Sequence, residues 1–382
     1  MKILVIGEVY SPNLGDPIIN ESVSYLITEK YKNVNIKYLD LSTREGYLAG
    51  ENIEISKNKK NIINIINKMS TLLTKMGLDT DYYKMKWISS SNKKYFEKFF
   101  LNNNFDLAIF AGGQIFKDTF IFSLQFILDE LNKKNIPVIF NGIGYGQIQS
   151  PGLKKLLKNN LTKENVKIIT TRDDKYSIEK ILSNTDVKVN VIDDPAIWAA
   201  DVYKIEKQKS NVIGLGVMNV PSMEYNSLLS FWIEIIEELE RKNYKWKLFC
   251  NGSLSDYELL LDILTKLNIS KKDKNKYSYS RPKRPRELVK NIASFDTIIS
   301  FRLHSHIIAY SLNIPSIGIV WNPKVKYFFN GMGMQDKYFN INTNVNRIIS
   351  LLDNTENNHM NTLLQKKLHC QNSLYKNIDM II

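Results

Sequence analysis

Cysteine is nearly absent from this 382-residue chain: there are two, Cys250 and Cys370, far apart and without CxxC spacing. That excludes a disulfide framework and a zinc knuckle. Long apolar runs are missing too, and no stretch approaches the ~20 residues that would span a bilayer. The opening Met1-Lys-Ile-Leu-Val-Ile-Gly7 is too brief for the apolar core of a signal peptide and reads as a first strand. Histidine is scarce, and none of His304, His306, His359 or His369 sits with carboxylates at metal-ligand spacing, so no metal is expected. Helix-turn-helix, zinc-finger and RNP aromatic patterns are lacking, which argues against nucleic acid as a partner. A cytoplasmic protein is the expectation.

What is present is an ordinary globular composition, 43% hydrophobic and 24% charged. At this length one hydrophobic core rarely suffices, so two domains are expected. Lysine plus arginine number 52 against 39 acidic residues, a net charge of +13. That favours anionic partners such as a phospholipid surface or phosphorylated metabolites. The lysines are dispersed among asparagines and isoleucines, however, and mark no stripe.

Strand-like and helix-like segments alternate along the chain. Apolar strands at 2–7, 105–111, 137–140, 166–171 and 187–192 each stop at glycines or polar residues. The first runs into Glu8-Val-Tyr-Ser-Pro-Asn13-Leu-Gly15-Asp16-Pro17, where Asp16 then Pro17 reads as a helix start, a capping carboxylate before a φ-locked residue. Later strands run into Gly112-Gly113-Gln114, into Asn141-Gly142-Ile-Gly144 and into Asp193-Asp194-Pro195. After a polar linker at 203–211 the same grammar restarts, with strands at 212–217, 247–250 and 316–320 and helices at 228–239, 256–267 and 286–293. The expected domains are 1–203 and 204–354, with a helical tail at 355–382. In parallel α/β sheets, ligands bind beyond the carboxyl ends of the strands, where these glycines and polar residues lie.

The most informative segment is Ile298-Ile-Ser-Phe-Arg302-Leu-His304-Ser-His306. An apolar strand ends in an arginine and a histidine, and a helical pattern follows at once. If the junction is extended, Arg302 and His304 share a face by period-two alternation. A fixed cation, a titratable imidazole and a helix N-terminus suit a small anion that also needs a proton moved. The competing structural reading is a salt-bridged arginine and a capping histidine. His306, one position on, reads as a helix residue. One segment stands outside the pattern: Ile62, Ile65, Ile66, Met69, Leu72, Leu73 and Met76 form a helical apolar stripe with lysines around it. It reads either as a membrane-surface helix or as a helix packed on its own domain.

These elements resemble, in order, those of the polysaccharide pyruvyl transferases: Asn13-Leu-Gly15-Asp16, Gly112-Gly113, Gly142-Ile-Gly144, Thr171-Arg172-Asp173 with Ser177, Asp194-Pro195-Ala196, and Arg302-Leu-His304 with Pro315 and Lys324 downstream. One departure is Gln114, where the family often has a third glycine. The resemblance implies an α/β fold of two Rossmann-like domains facing a central cleft, GT-B-like. It also implies transfer of the enolpyruvyl unit of phosphoenolpyruvate onto two hydroxyls of a sugar in a bacterial surface polysaccharide or its lipid-linked precursor, closing a pyruvate ketal. Phosphoenolpyruvate is then the donor substrate and no cofactor is expected. His304 and Arg302 are the expected catalytic residues; Arg172, Asn13, Asp16, Gly112, Gly113, Gln114, Asp194 and Lys324 are the expected substrate-binding ones. Chemically, arginine suits carboxylate and phosphate because its planar fork binds either in two places. A histidine can both give and accept a proton near neutrality. Asp16 reads either as a holder of a sugar hydroxyl or as a helix cap, and Asp194 as a holder of a hydroxyl or arginine or as a turn residue. A lipid-linked acceptor would bring peripheral contact with an anionic membrane face. Two rival functions remain, a nucleotide-sugar glycosyltransferase on the same scaffold and a non-catalytic carbohydrate- or membrane-binding protein.

Overall fold

A computed structural model describes residues 1–47, 78–354 and 360–382. The apolar stripe at 62–76 and His359 lie outside the described residues. The chain divides into two compact units, one of residues 1–11, 19–194 and 370–382, the other of residues 12–18 and 195–369.

The first unit is built on a parallel sheet of seven strands: β1 (Lys2–Gly7), β2 (Asn35–Asp40), β3 (Leu107–Phe110), β4 (Gly113–Phe116), β5 (Val138–Tyr145), β6 (Val166–Thr171) and β7 (Val189–Val191). Their order is β2-β1-β3-β5-β6-β7, with β4 added on β5. The central strands β1, β3 and β5 are buried except at Lys2 and Tyr145, as helices on both faces of a parallel sheet require. Asn141-Gly142-Ile-Gly144, expected as a loop, continues β5 instead, because its backbone stays paired to β4 and β6 across shifts of register. β2 escapes the apolar-run criterion because it is an edge strand with only Leu39 and Asp40 buried. Beyond it, β1 pairs with β3, so the strand order reverses direction at β1.

The second unit repeats the plan with five parallel strands: β8 (Val212–Gly216), β9 (Lys245–Phe249), β10 (Thr297–Ser300), β11 (Ser316–Val320) and β12 (Tyr338–Asn340), in the order β12-β11-β10-β8-β9. The helix Tyr225–Arg241 buries Leu228, Trp232, Ile235, Ile236 and Leu239 against this sheet, the i, i+4, i+7 spacing its sequence shows. The reversal falls between β8 and β10, since β9 pairs with one side of β8 and β10 with the other. The break between units comes after Asp194, ahead of the expected linker at 203–211. Residues Pro195–Tyr203 belong to the second unit because they pack on the helices Leu303–Ser311 and Pro285–Ala293. The tail is a helix, Met360–Asp379, whose residues through His369 belong to the second unit and from Cys370 to the first. Among the described residues, no helix is long and apolar enough to cross a membrane.

Candidate active site

The second unit places its chemistry at the reversal of strand order. β10 ends at Ser300, and Arg302 keeps an extended backbone (φ −76°, ψ 122°) as the last residue before the helix Leu303–Ser311. His304 is already helical. The period-two alternation expected for Arg302 and His304 therefore does not apply, and the helix sets the direction of the histidine. Ser300 fixes the junction. Its hydroxyl donates to the Gly216 carbonyl (3.1 Å) and accepts the Arg302 amide (3.2 Å), so the ends of β8 and β10 are tied. A Cβ on Gly216 would fall 2.2 Å from that hydroxyl, which is why β8 closes on glycine.

Arg302 is held by Asp256, in the first turn of the helix Leu254–Lys266 that follows β9. Nε and Nη2 each donate to this fully buried carboxylate at 2.9 Å, and the Asn219 amide donates to it at 3.0 Å. Burial pushes the Asp256 carboxyl above the usual carboxylate range, and the Arg302 guanidinium opposes that. Beside it, Ser305 donates to Asn251 Oδ1 (2.8 Å), and the Asn251 carbonyl accepts the Leu14 amide (2.9 Å).

That last bond brings in the loop before the first helix. Asn13, Gly15 and Asp16 belong to the second unit, and a Cβ on Gly15 would fall 2.2–2.4 Å from His304 Nδ1, Cγ and Cβ. Only a glycine allows the loop to lie on the imidazole. Gly252 (φ +100°) is the matching close approach, with its own Cβ position 2.5 Å from the Pro12 carbonyl. Asp16 is not the cap of this helix, contrary to the sequence expectation. The helix starts at Gly15, and Asp16 sits in its first turn, accepting from Asn13 Nδ2 at 2.9 Å. Two buried polar atoms here, Asn13 Oδ1 and Asn251 Nδ2, have no partner among the described residues. On the other flank, Trp321 donates from Nε1 to the Phe301 carbonyl (2.8 Å), and the Lys324 ammonium lies over its ring at 4.6 Å. Arg281, from the proline-interrupted basic run, donates from Nε to the Gly252 carbonyl at 2.7 Å.

His306 plays no part in this surface. It is fully buried, donates from Nε2 to the Ser300 carbonyl at 3.0 Å, and meets Phe329 edge to face. Burial drives its pKa down to about 3, so the ring stays neutral.

The first unit holds the other expected residues at its own carboxyl edge. Gly112 (φ +116°) and Gly113 (φ +81°) turn the chain from β3 into β4, and a Cβ on Gly112 would fall 2.9 Å from Ile19 Cγ2. Gln114 donates from Nε2 to the Tyr145 carbonyl (3.0 Å), so its side chain serves the β4–β5 join. Arg172 is almost wholly buried between Asp194, with which it pairs through Nη1, and Asp173, 3.8 Å from Nε. Both carboxylates compete with any substrate anion for it. Asp174 caps the helix Lys175–Ile181, accepting from both the amide (3.0 Å) and the hydroxyl (2.6 Å) of Ser177, which gives Ser177 a structural role.

Sequence reasoning missed Asp256, Asn251, Ser305, Trp321 and Asn219. Asp256 was readable only as a carboxylate at a helix start, and nothing local told that its partner lies 46 residues on. A groove elsewhere in this unit, about 880 Å³, is lined by Glu224, Glu234, Glu237 and Glu238, the last paired with Arg241, and so carries an acidic excess.

Fold and site together define a two-domain α/β protein of the GT-B-like class, with a cation and a histidine at a strand-order reversal. The sequence model of the family described as polysaccharide pyruvyl transferase matches residues 13–323, and the chain belongs to that family. No curated protein matches it significantly. Among solved structures, a putative UDP-N-acetylglucosamine 2-epimerase from Listeria monocytogenes is similar at 12% identity with a TM-score of 0.58, over 99% of this chain and 95% of that one. MnaA of S. aureus, solved with UDP, is similar at 10% identity and 0.52, over 99% and 96%. The E. coli heptosyltransferase WaaC with ADP follows at 10% identity and 0.48, over 93% and 100%. For the first two, at such identities, the likeness is one of fold.

Proposed function

We propose that the protein transfers the enolpyruvyl unit of phosphoenolpyruvate to two hydroxyls of a sugar in a bacterial surface polysaccharide or its lipid-linked precursor. The carrying observation is Arg302 and His304 at the N-terminus of the helix Leu303–Ser311, with Gly15, the first residue of its own helix, laid on the imidazole. Arg302 and the positive end of that helix hold an anionic group of the donor. His304 delivers a proton to the methylene carbon, which leaves oxocarbenium character on the central carbon that bears the phosphate ester oxygen. A sugar hydroxyl adds there and loses its proton to a base. Phosphate then departs with its bridging oxygen, and a second hydroxyl closes the ketal. His304 serves as acid in the first step and is placed to recover a proton afterwards. On the second unit Asn13, Asp16 and Lys324 are the remaining candidate contacts; Arg172, Gly112, Gly113, Gln114 and Asp194 stand at the carboxyl edge of the first unit's own sheet.

Incubation with phosphoenolpyruvate and candidate acceptor glycans should release inorganic phosphate in step with a new acid-labile pyruvate ketal. Phosphate release without a ketal, or ketal formation that survives loss of both Arg302 and His304, would count against the assignment. The second reading, a nucleotide-sugar transferase, draws on the fold shared with the UDP-bound S. aureus structure. Fold alone supports many chemistries.

A further inference from the structure

A guanidinium has two hydrogen-bonding edges, a side edge of Nε and Nη2 and an end edge of Nη1 and the second Nη2 hydrogen. In Arg302 the side edge is taken: Nε and Nη2 lie 2.9 Å from the two oxygens of Asp256. The carboxylate is itself pinned from a third direction by the Asn219 amide, which follows β8, while Asp256 follows β9 and Arg302 follows β10. Three neighbouring strand ends are thus locked through one carboxylate. Nη1 has no partner among the described residues, and the arginine side chain keeps 18% of its exposure against none for the aspartate.

A plain structural ion pair does not require this asymmetry. Burying a carboxylate is costly, and an apolar pair of similar volume usually serves stability as well. Here the burial falls on the acid, and the base is left half-engaged with its end edge open.

We propose that Asp256 is a positioning residue of the donor site, holding the Arg302 guanidinium so that its end edge meets an anionic group of the donor beside His304. This rests on the phosphoenolpyruvate reading above. Without the carboxylate, a long flexible side chain would bring the charge to the site without its orientation. Asparagine at 256 keeps the volume but sets an amide NH₂ against a guanidinium donor.

The test is a mutant cycle of Asp256→Asn, Arg302→Ala and the double variant, with phosphoenolpyruvate affinity by calorimetry, KM and kcat, and melting temperature. Asp256→Asn should raise the KM and the dissociation constant for phosphoenolpyruvate by about tenfold or more, the usual worth of an oriented charged hydrogen bond. The double variant should bind no worse than Arg302→Ala, because the two residues act as one. A fall in melting temperature with unchanged affinity per folded molecule, or additive losses in the double variant, would overturn the positioning role. Should Arg302→Ala itself leave phosphoenolpyruvate affinity unchanged, it is the donor reading that fails. If Asp256→Asn does not fold, Asn219→Pro, which removes the third tether without touching the ion pair, reads the same KM effect in weaker form, and an unchanged KM there overturns the proposal.

Discussion

Two histidines two positions apart have opposite physical fates. His304 is packed against Gly15 at a helix start, while His306 is sealed against Phe329. His304→Ala should bind phosphoenolpyruvate nearly as well as the parent and turn over ~10²–10⁴-fold more slowly, the usual worth of a positioned acid–base group. Intact turnover with a lower melting temperature would make His304 structural. For His306 the folded pKa, about 3, lies below the unfolded value of 6.5. Between those values the unfolded chain binds more protons, so stability rises with pH; it is complete above pH ~6.5 and is lost as pH falls towards 3. A melting series across that window should show the slope, and His306→Gln should flatten it while leaving activity per folded molecule intact. The two arginines diverge similarly. Arg302→Ala should weaken donor binding, whereas Arg172→Ala should chiefly cost stability, roughly 3–5 kcal/mol, because it leaves Asp173 and Asp194 buried without their cation. Chemical denaturation beside calorimetry separates these outcomes.

At the scale of elements, the sequence was most legible where an apolar run forms the strand. β1, β3, β6, β8, β10 and β11 are apolar runs that stop at glycine or a polar residue, and those stops are the carboxyl ends where Arg302, Arg172 and Gly112 lie. β2 and β12 were not legible, because half-exposed edge strands carry no apolar run. The β5 extension was misread since asparagine and glycine ordinarily signal turns, and only its pairing on β4 and β6 keeps it extended. Within the candidate site, local rules pointed to the cation and the histidine but not to their support. Asp256, Asn251 and Gly15 reach Arg302, Ser305 and His304 across sequence distances that no periodicity reports. Gly15 itself was part of a recognised motif, and the structure supplies its reason. Gly15→Ala should therefore depress turnover far more than stability, since the new methyl must push the imidazole aside at the start of a helix that tolerates alanine well. A loss confined to melting temperature, with kcat preserved, would mean the loop yields instead of the histidine.

For the whole molecule the decisive question is which anion the fold was adapted to hold. Two parallel Rossmann-like units are shared with nucleotide-sugar enzymes, so architecture leaves the donor open. Charge narrows it less than its size suggests, because +13 spread over dispersed lysines attracts any anion at long range. Discrimination must come from the short-range site, where Arg302 immediately precedes the helix that carries His304, and Trp321 is tied to the Phe301 carbonyl and lies under Lys324. That arrangement suits a compact, highly charged enol phosphate better than a base and ribose. Phosphoenolpyruvate at 100 times its dissociation constant should accordingly add about 2.7 kcal/mol to stability, visible as a raised melting temperature, with UDP-sugars giving little. The shift should shrink as salt rises, but less steeply than for a surface site, since Arg302 and His304 are partly or largely withdrawn from solvent. A shift produced by UDP-sugars and not by phosphoenolpyruvate would move the protein to the nucleotide-sugar transferases. The Arg302–Asp256 pair would then be explained as a diphosphate clamp.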